Sequence, residues 1–172
     1  MNTRQAAGLR ALLRDASHGA LATVHDGDPQ VSMVPYATLP DAAALVIHVS
    51  ALAAHTGHML AHPRVALLVT AAPAPAVAPQ ALPRVSIAAL ARRVPDTDPS
   101  HPAAKAAYLA RFPPSAPIFD LPDFSLFVLE ATSLRLVLGF GNASTLDAQD
   151  LRRALGRAGT ARKPAHPPPE ST

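Results

Sequence analysis

The stretch His48-Val-Ser50-Ala-Leu-Ala-Ala-His55-Thr-Gly-His58-Met-Leu60 reads as a strand running into a helix with no loop between them. The apolar, β-branched run Leu45–Val49 predicts a strand. Ser50 ends it and helical composition begins at once, so the sequence predicts a helix over 51–61 with Ser50 as its N-cap. In that arrangement the Ser50 hydroxyl and the free amides of Ala51 to Ala53 point the same way, a setting suited to a phosphate or carboxylate. Pro63 closes the helix, because the residue before a proline avoids helical angles.

The same helix carries His55, His58 and His62 at i, i+3 and i+7, one stripe beside Leu52, Thr56 and Met59. Imidazoles in such a stripe suit Zn²⁺, Ni²⁺ or haem iron, and His48 on the preceding strand offers another nitrogen. No carboxylate lies between His48 and His62 to complete or orient a site, so no metal site is assigned. The competing reading is a polar stripe at the edge of a cleft.

Working outward, Leu9, Leu12 and Leu13 mark a short amphipathic helix over 4–15. Ala20–His25 and Gln30–Tyr36 read as strands around the turn Asp26-Gly27-Asp28-Pro29. Strands are also predicted at Ala44–Val49, Val65–Thr70 and Arg84–Val94. Two more, Phe124–Ala131 and Leu134–Phe140, flank a Thr132-Ser133 turn. Helices are predicted at 103–111 and 147–155. Ala71–Pro83 holds four prolines and reads as an extended loop. With no βαβ rhythm and no repeat, six or seven short strands predict an α+β, mainly β fold: an antiparallel barrel with short flanking helices. One domain over 1–160 and a disordered Pro-rich tail over 161–172 are expected.

Composition narrows the function. Charged residues are 16% against 49% apolar. That fits either a surface partly covered by a partner subunit or an apolar count inflated by Ala and Pro. The net charge is only +3, aromatics are 4% and Trp is absent, so no nucleic-acid surface is expected. The absence of Cys excludes disulfides and thiolate chemistry. No apolar run reaches the length of a membrane span and the first residues lack a signal-peptide core. The default expectation is a soluble cytoplasmic protein. No catalytic triad, P-loop or dinucleotide fingerprint is present, and no catalytic residue is assigned. Any redox chemistry would have to come from a cofactor.

Seven short motifs occur in a recognisable order: Ser32-Met-Val-Pro-Tyr36, Ser50-x-Leu-Ala-x-His55-Thr56, His62-Pro63-Arg64, Arg84-Val-Ser-Ile87, Tyr108-Leu-Ala-Arg-Phe-Pro113, Asp123-Phe-Ser-Leu126 and Gly139-Phe-Gly-x-Ala143. Taken together, from about Leu9 to Leu151, they resemble the FMN-binding split-barrel proteins related to pyridoxamine 5'-phosphate oxidase, and among them the haem-utilisation branch. The resemblance implies a homodimer with FMN in the groove between two chains. It places Ser32, Met33 and Val34 along the isoalloxazine ring through their backbone, and Ser50, Ala53, His55, Thr56 and His58 at the phosphate. It also implies a flavin-dependent oxidoreductase acting on a small molecule. Two positions depart from the pattern. Gly57 and His58 stand where a basic residue and Asn are usual, and Ala88 and Ala89 where the strand from Arg84 usually reaches a glycine. Branch members often carry a further C-terminal domain that contributes to haem binding, whereas this sequence stops after one helix and the tail. The rival reading is a non-enzymatic protein that binds or senses haem, flavin or a metal.

Overall fold

Strand β4 (Ala44–Ser50) explains how the molecule is layered. Its run Ala-Leu-Val-Ile-His-Val is buried on both faces, as expected of a strand covered from two sides. Leu45, Ile47 and Val49 point into the main core. Ala44 and Val46 point the other way, into a smaller cluster with Ala104 and Tyr108 of the helix over it.

The structure is a computed structural model and describes residues 1–156 except Ala76; the expected tail 161–172 lies outside the described residues. Helix α1 (Thr3–Asp15) leads into β1 (His18–His25), β2 (Asp28–Pro35), β3 (Ala37–Leu39) and β4. Helix α2 (Ala54–Ala61), β5 (Arg64–Thr70), β6 (Arg84–Val94) and α3 (His101–Arg111) follow. Strands β7 (Phe124–Val137) and β8 (Ala143–Asp147) and helix α4 (Ala148–Leu155) complete the described chain. Short 3-10 turns sit at Pro40–Ala42, Pro79–Ala81 and Pro113–Asp120.

The eight strands form one antiparallel sheet in the order β2-β1-β5-β6-β7-β4-β3, with β8 beside β7. Only Tyr36 separates β2 from β3, yet these strands stand at opposite ends of that order. The sheet must therefore curl until its ends nearly meet, leaving a split beside β2. The expected mainly β split barrel is the fold observed. Tyr36 is fully buried at the joint and its hydroxyl donates to Leu13 O at 3.0 Å. Leu21, Leu45, Ile47, Leu67, Ile87 and Leu129 fill the interior and are essentially inaccessible. Each such side chain contributes roughly 1.5–3 kcal/mol by leaving water.

Three local expectations are corrected. The segment read as two strands around Thr132-Ser133 is the single strand β7. Its two polar residues fall at a register shift opposite Ala88 and Ala89, where a bulge inserts Thr132 without breaking the ladder. Strand β8 was not anticipated, and it pairs Ala143–Asp147 with Ser133–Val137. The third correction, at the start of α2, bears on the site.

Candidate cofactor site

Helix α2 begins at Ala54, with Ala53 as an N-cap that makes no side-chain hydrogen bond. Residues 51–53 form a turn instead of the first helical turn. Ser50 is the reason. Its hydroxyl donates to Asp123 Oδ2 at 2.5 Å and accepts from Leu52 N at 3.0 Å. Its carbonyl accepts from Ala53 N at 3.1 Å and from Thr56 Oγ1 at 2.7 Å. A serine whose hydroxyl and carbonyl are engaged in this way favours a turn over helix propagation. Thr56, 5% exposed, thus braces the turn, and its only hydroxyl hydrogen is committed there.

The two histidines of α2 face different surroundings. His55 Nε2 is enclosed and has no hydrogen-bond partner among the described residues. Burial, and then the nearby His58, lower the His55 pKa, so the ring is neutral at physiological pH. His58 Nδ1 lies 3.0 Å from Thr23 Oγ1 on β1, and its ring stacks on His25 with centroids 4.7 Å apart. His62 falls at the C-cap, beyond the helix. The expected three-histidine stripe is therefore reduced to two, and His25 joins it. The hairpin turn at Asp26-Gly27 (φ 51° and 90°), which places His25 at the strand end, was the available signal. Among the described residues no group of three His, Cys, Asp or Glu side chains is placed to hold a metal ion.

Ser32, Met33 and Val34 lie on β2, which ends the sheet and has a strand neighbour on one side only. Its other edge offers backbone groups to a ligand. Val34 is buried, Ser32 half-buried, and Met33 is 66% exposed. Met33 lines a mainly apolar cavity of about 820 Å³ with Gly19 and Ala20 of β1, Leu68 of β5, Leu12 of α1 and Leu138. That volume lies within the usual range for a small-molecule site. Ser50, Ala53, His55, Thr56 and His58 of the same chain do not line this cavity. The predicted residues therefore form two clusters, one on β2 and one at α2, both in contact with the β1–β2 hairpin.

The sequence profile of pyridoxamine 5'-phosphate oxidase matches residues 6–138, most of the described barrel. The chain belongs to the pyridoxamine 5'-phosphate oxidase family. Among solved structures, a haem-binding protein from Mycobacterium smegmatis is similar at 29% identity and a TM-score of 0.78, covering 89% of this chain and 62% of its own. ChuZ from Campylobacter jejuni is similar in fold at 18% identity and a TM-score of 0.70, covering 83% of this chain and 58% of its own. HutZ, a haem storage protein from Vibrio cholerae, has 24% identity and a TM-score of 0.65, covering 74% of this chain and 91% of its own. The chain thus spans under two thirds of the length of the M. smegmatis and C. jejuni proteins. No curated protein matches its sequence. No helix among the described residues is long and apolar enough to cross a membrane.

Proposed function

We propose that this family member is an FMN-binding flavoprotein that works as a homodimer and serves as an oxidoreductase for a small molecule. The observation that carries the reading is His55. An enclosed, neutral imidazole nitrogen without a partner belongs to the first turn of α2, whose Ala54 and His55 amides have no intrahelical acceptor. In the tautomer with its proton on Nε2, that imidazole and those amides are donors suited to a phosphate oxygen. The free edge of β2 and the apolar wall at Met33 suit the ring system. When bound, the flavin supplies hydride or electron transfer; the chain's own groups bind and orient it.

Pairing of two chains is supported by the outer face of β2, β1, β5 and β6. Register aligns Met33 with Ala20, Leu68 and Ser86 across the strands, and Val31 with Ala22, Ala66 and Ala88. This face carries small and mostly apolar side chains, with Val31 70% and Leu68 40% exposed. A contiguous face of that kind is what a partner covers. A second subunit would also bring its own α2 and β2 clusters to the groove.

The decisive experiment is titration of the purified protein with FMN, followed by quenching of flavin fluorescence. Saturable quenching that weakens in His55→Ala supports the assignment; no quenching at millimolar FMN overturns it. The second reading is haem binding. It is favoured by the apolar wall at Met33, by the neutral His55 and by the haem-binding M. smegmatis relative. A Soret band on adding haemin, with no response to FMN, selects it.

A further inference from the structure

A second cavity, of about 390 Å³, opens on the outside of the barrel and includes none of the residues assigned above to the FMN site. It lies where α3 and the turn Pro113–Asp120 cross the ends of β4 and β6 and the start of β7. His48 forms part of its wall. This residue is 8% exposed, and its ring is stacked on Phe119 with centroids 3.9 Å apart and planes 8° apart. Phe124 and Tyr108 close in at 5.2 and 5.7 Å. Neither ring nitrogen makes a hydrogen bond among the described residues, and neither is sealed from solvent, so the ring's polar edge is left to the cavity.

The charged groups around that edge are arranged unequally. Arg93 spends one donor on Ser125 Oγ at 3.0 Å and has no carboxylate within ion-pair range among the described residues. Lys105 rests 4.9 Å from the Phe119 ring centroid and likewise has no acidic partner there. Asp96 is 94% exposed and is turned to His101 at 3.0 Å. Asp120 also lines the cavity and is exposed. Two unpaired cations and a neutral imidazole edge beside an aromatic wall do not hold a metal ion; they attract a small anion and orient it.

We propose that this cavity binds a small organic oxyanion, a carboxylate or a phosphate monoester. Arg93 and Lys105 are its counter-ions and His48 is its buried hydrogen-bonding partner. Packing alone would explain a phenylalanine at position 48. It does not explain a ring whose nitrogens go unused beside two unpaired cations. Strand β4 thereby has a different task on each face. Its inward residues build the barrel, while His48 on its outward face serves a site that α3 covers.

The test is proton NMR of the eight histidine Cε1–H signals, with His48 assigned through His48→Phe and His55 through His55→Ala. Inorganic phosphate, benzoate and the neutral benzamide are titrated into the full-length protein at constant ionic strength. A saturable shift of His48 with phosphate or benzoate but not benzamide is expected, and the stronger of the two identifies the anion class. Lys105→Gln and Arg93→Gln, both of exposed or half-exposed side chains, are each expected to weaken that response about tenfold. No saturable His48 shift, equal response to benzamide, or unchanged affinity in both variants overturns the proposal. A phosphate response at His55 alone also overturns it while supporting the separate assignment at α2.

Discussion

Ser50 Oγ donates to Asp123 Oδ2 across 2.5 Å, tying the end of β4 to the residue just before β7. The backbone repeats the tie, with Ala51 N donating to Asp123 O at 2.6 Å. A carboxylate thus stands where the sequence suggested a hydroxyl free to donate to a phosphate. It takes up the hydroxyl and adds negative charge beside the first turn of α2.

That arrangement predicts a gain of function. Asp123→Asn keeps an acceptor for Ser50 and removes the charge, so FMN is expected to bind about fivefold more tightly, the scale of one like-charge repulsion of about 1 kcal/mol near a surface. Flavin fluorescence titration measures it. Unchanged or weaker affinity in a variant that melts like the parent counts against phosphate at this turn. Ser50→Asp should do the reverse and abolish binding, since it sets two carboxylates face to face.

His48 gives the pH dependence. Burial, and then the charges of Lys105 and His101, lower its pKa from 6.5 to about 4 in the folded protein. Above about pH 6.5 the ring is neutral folded or unfolded, and its contribution to stability is complete. As pH falls from about 6.5 to about 4, the unfolded chain takes up a proton that the folded chain refuses, so stability falls; below about 4 the loss is complete. The ceiling on this loss is about 3 kcal/mol. Urea midpoints across that window should slope downward with acid, and His48→Phe should flatten the slope. An unaltered slope refutes the assignment.

Legibility in the sequence followed how local the determinants were. Arg84–Ile87 alternates polar and apolar residues and Arg92–Val94 closes the segment, so despite the alanines between them β6 has the bounds the sequence predicts. Asp26-Gly27 names its own hairpin through two positive φ angles. Thr132-Ser133 misled because a bulge and a turn both favour short polar residues, and only pairing with Ala88, forty-odd positions away, distinguishes them. Helix α2 starts late for a similar reason. Whether Ser50 caps a helix or binds Asp123 depends on a partner 73 residues away. The candidate site was legible only as a list of residues, on β2 and around the start of α2. Its division into two clusters, the arrival of His25 and the unpartnered Nε2 of His55 depend on how the sheet curls.

Dimer formation can be tested on the alanine platform. Ala22 lies between Val31 and Ala66 in register and is half-buried on the outward face of β1. Ala22→Arg would leave an unpaired charge in a desolvated interface, a cost of several kcal/mol. Sedimentation should show the parent as a dimer and the variant as a monomer with FMN affinity at least about tenfold lower. A variant that remains dimeric at micromolar concentration rejects this face as the interface.

Arg111 should matter to stability and leave ligands alone. It belongs to the Tyr-Leu-Ala-Arg-Phe-Pro motif, yet its guanidinium is spent on structure. Nη1 donates to Leu13 O at 2.9 Å, and Nη2 donates to Arg14 O at 3.0 Å and Ala16 O at 2.5 Å. The group lies 4.8 Å from the Tyr36 ring centroid. Carbonyls at the end of α1 lack intrahelical donors, and a cation there also opposes the negative end of the helix dipole. Arg111→Ala removes these bonds together and should cost about 2–3 kcal/mol, read as a lower urea midpoint. Arg111→Lys should recover less than half of the loss, since an ammonium lacks the planar fork that serves three carbonyls at once. FMN affinity should stay within about twofold of the parent in the lysine variant, because Arg111 touches neither β2 nor α2; a large change in affinity at unchanged stability would place Arg111 in the binding site instead.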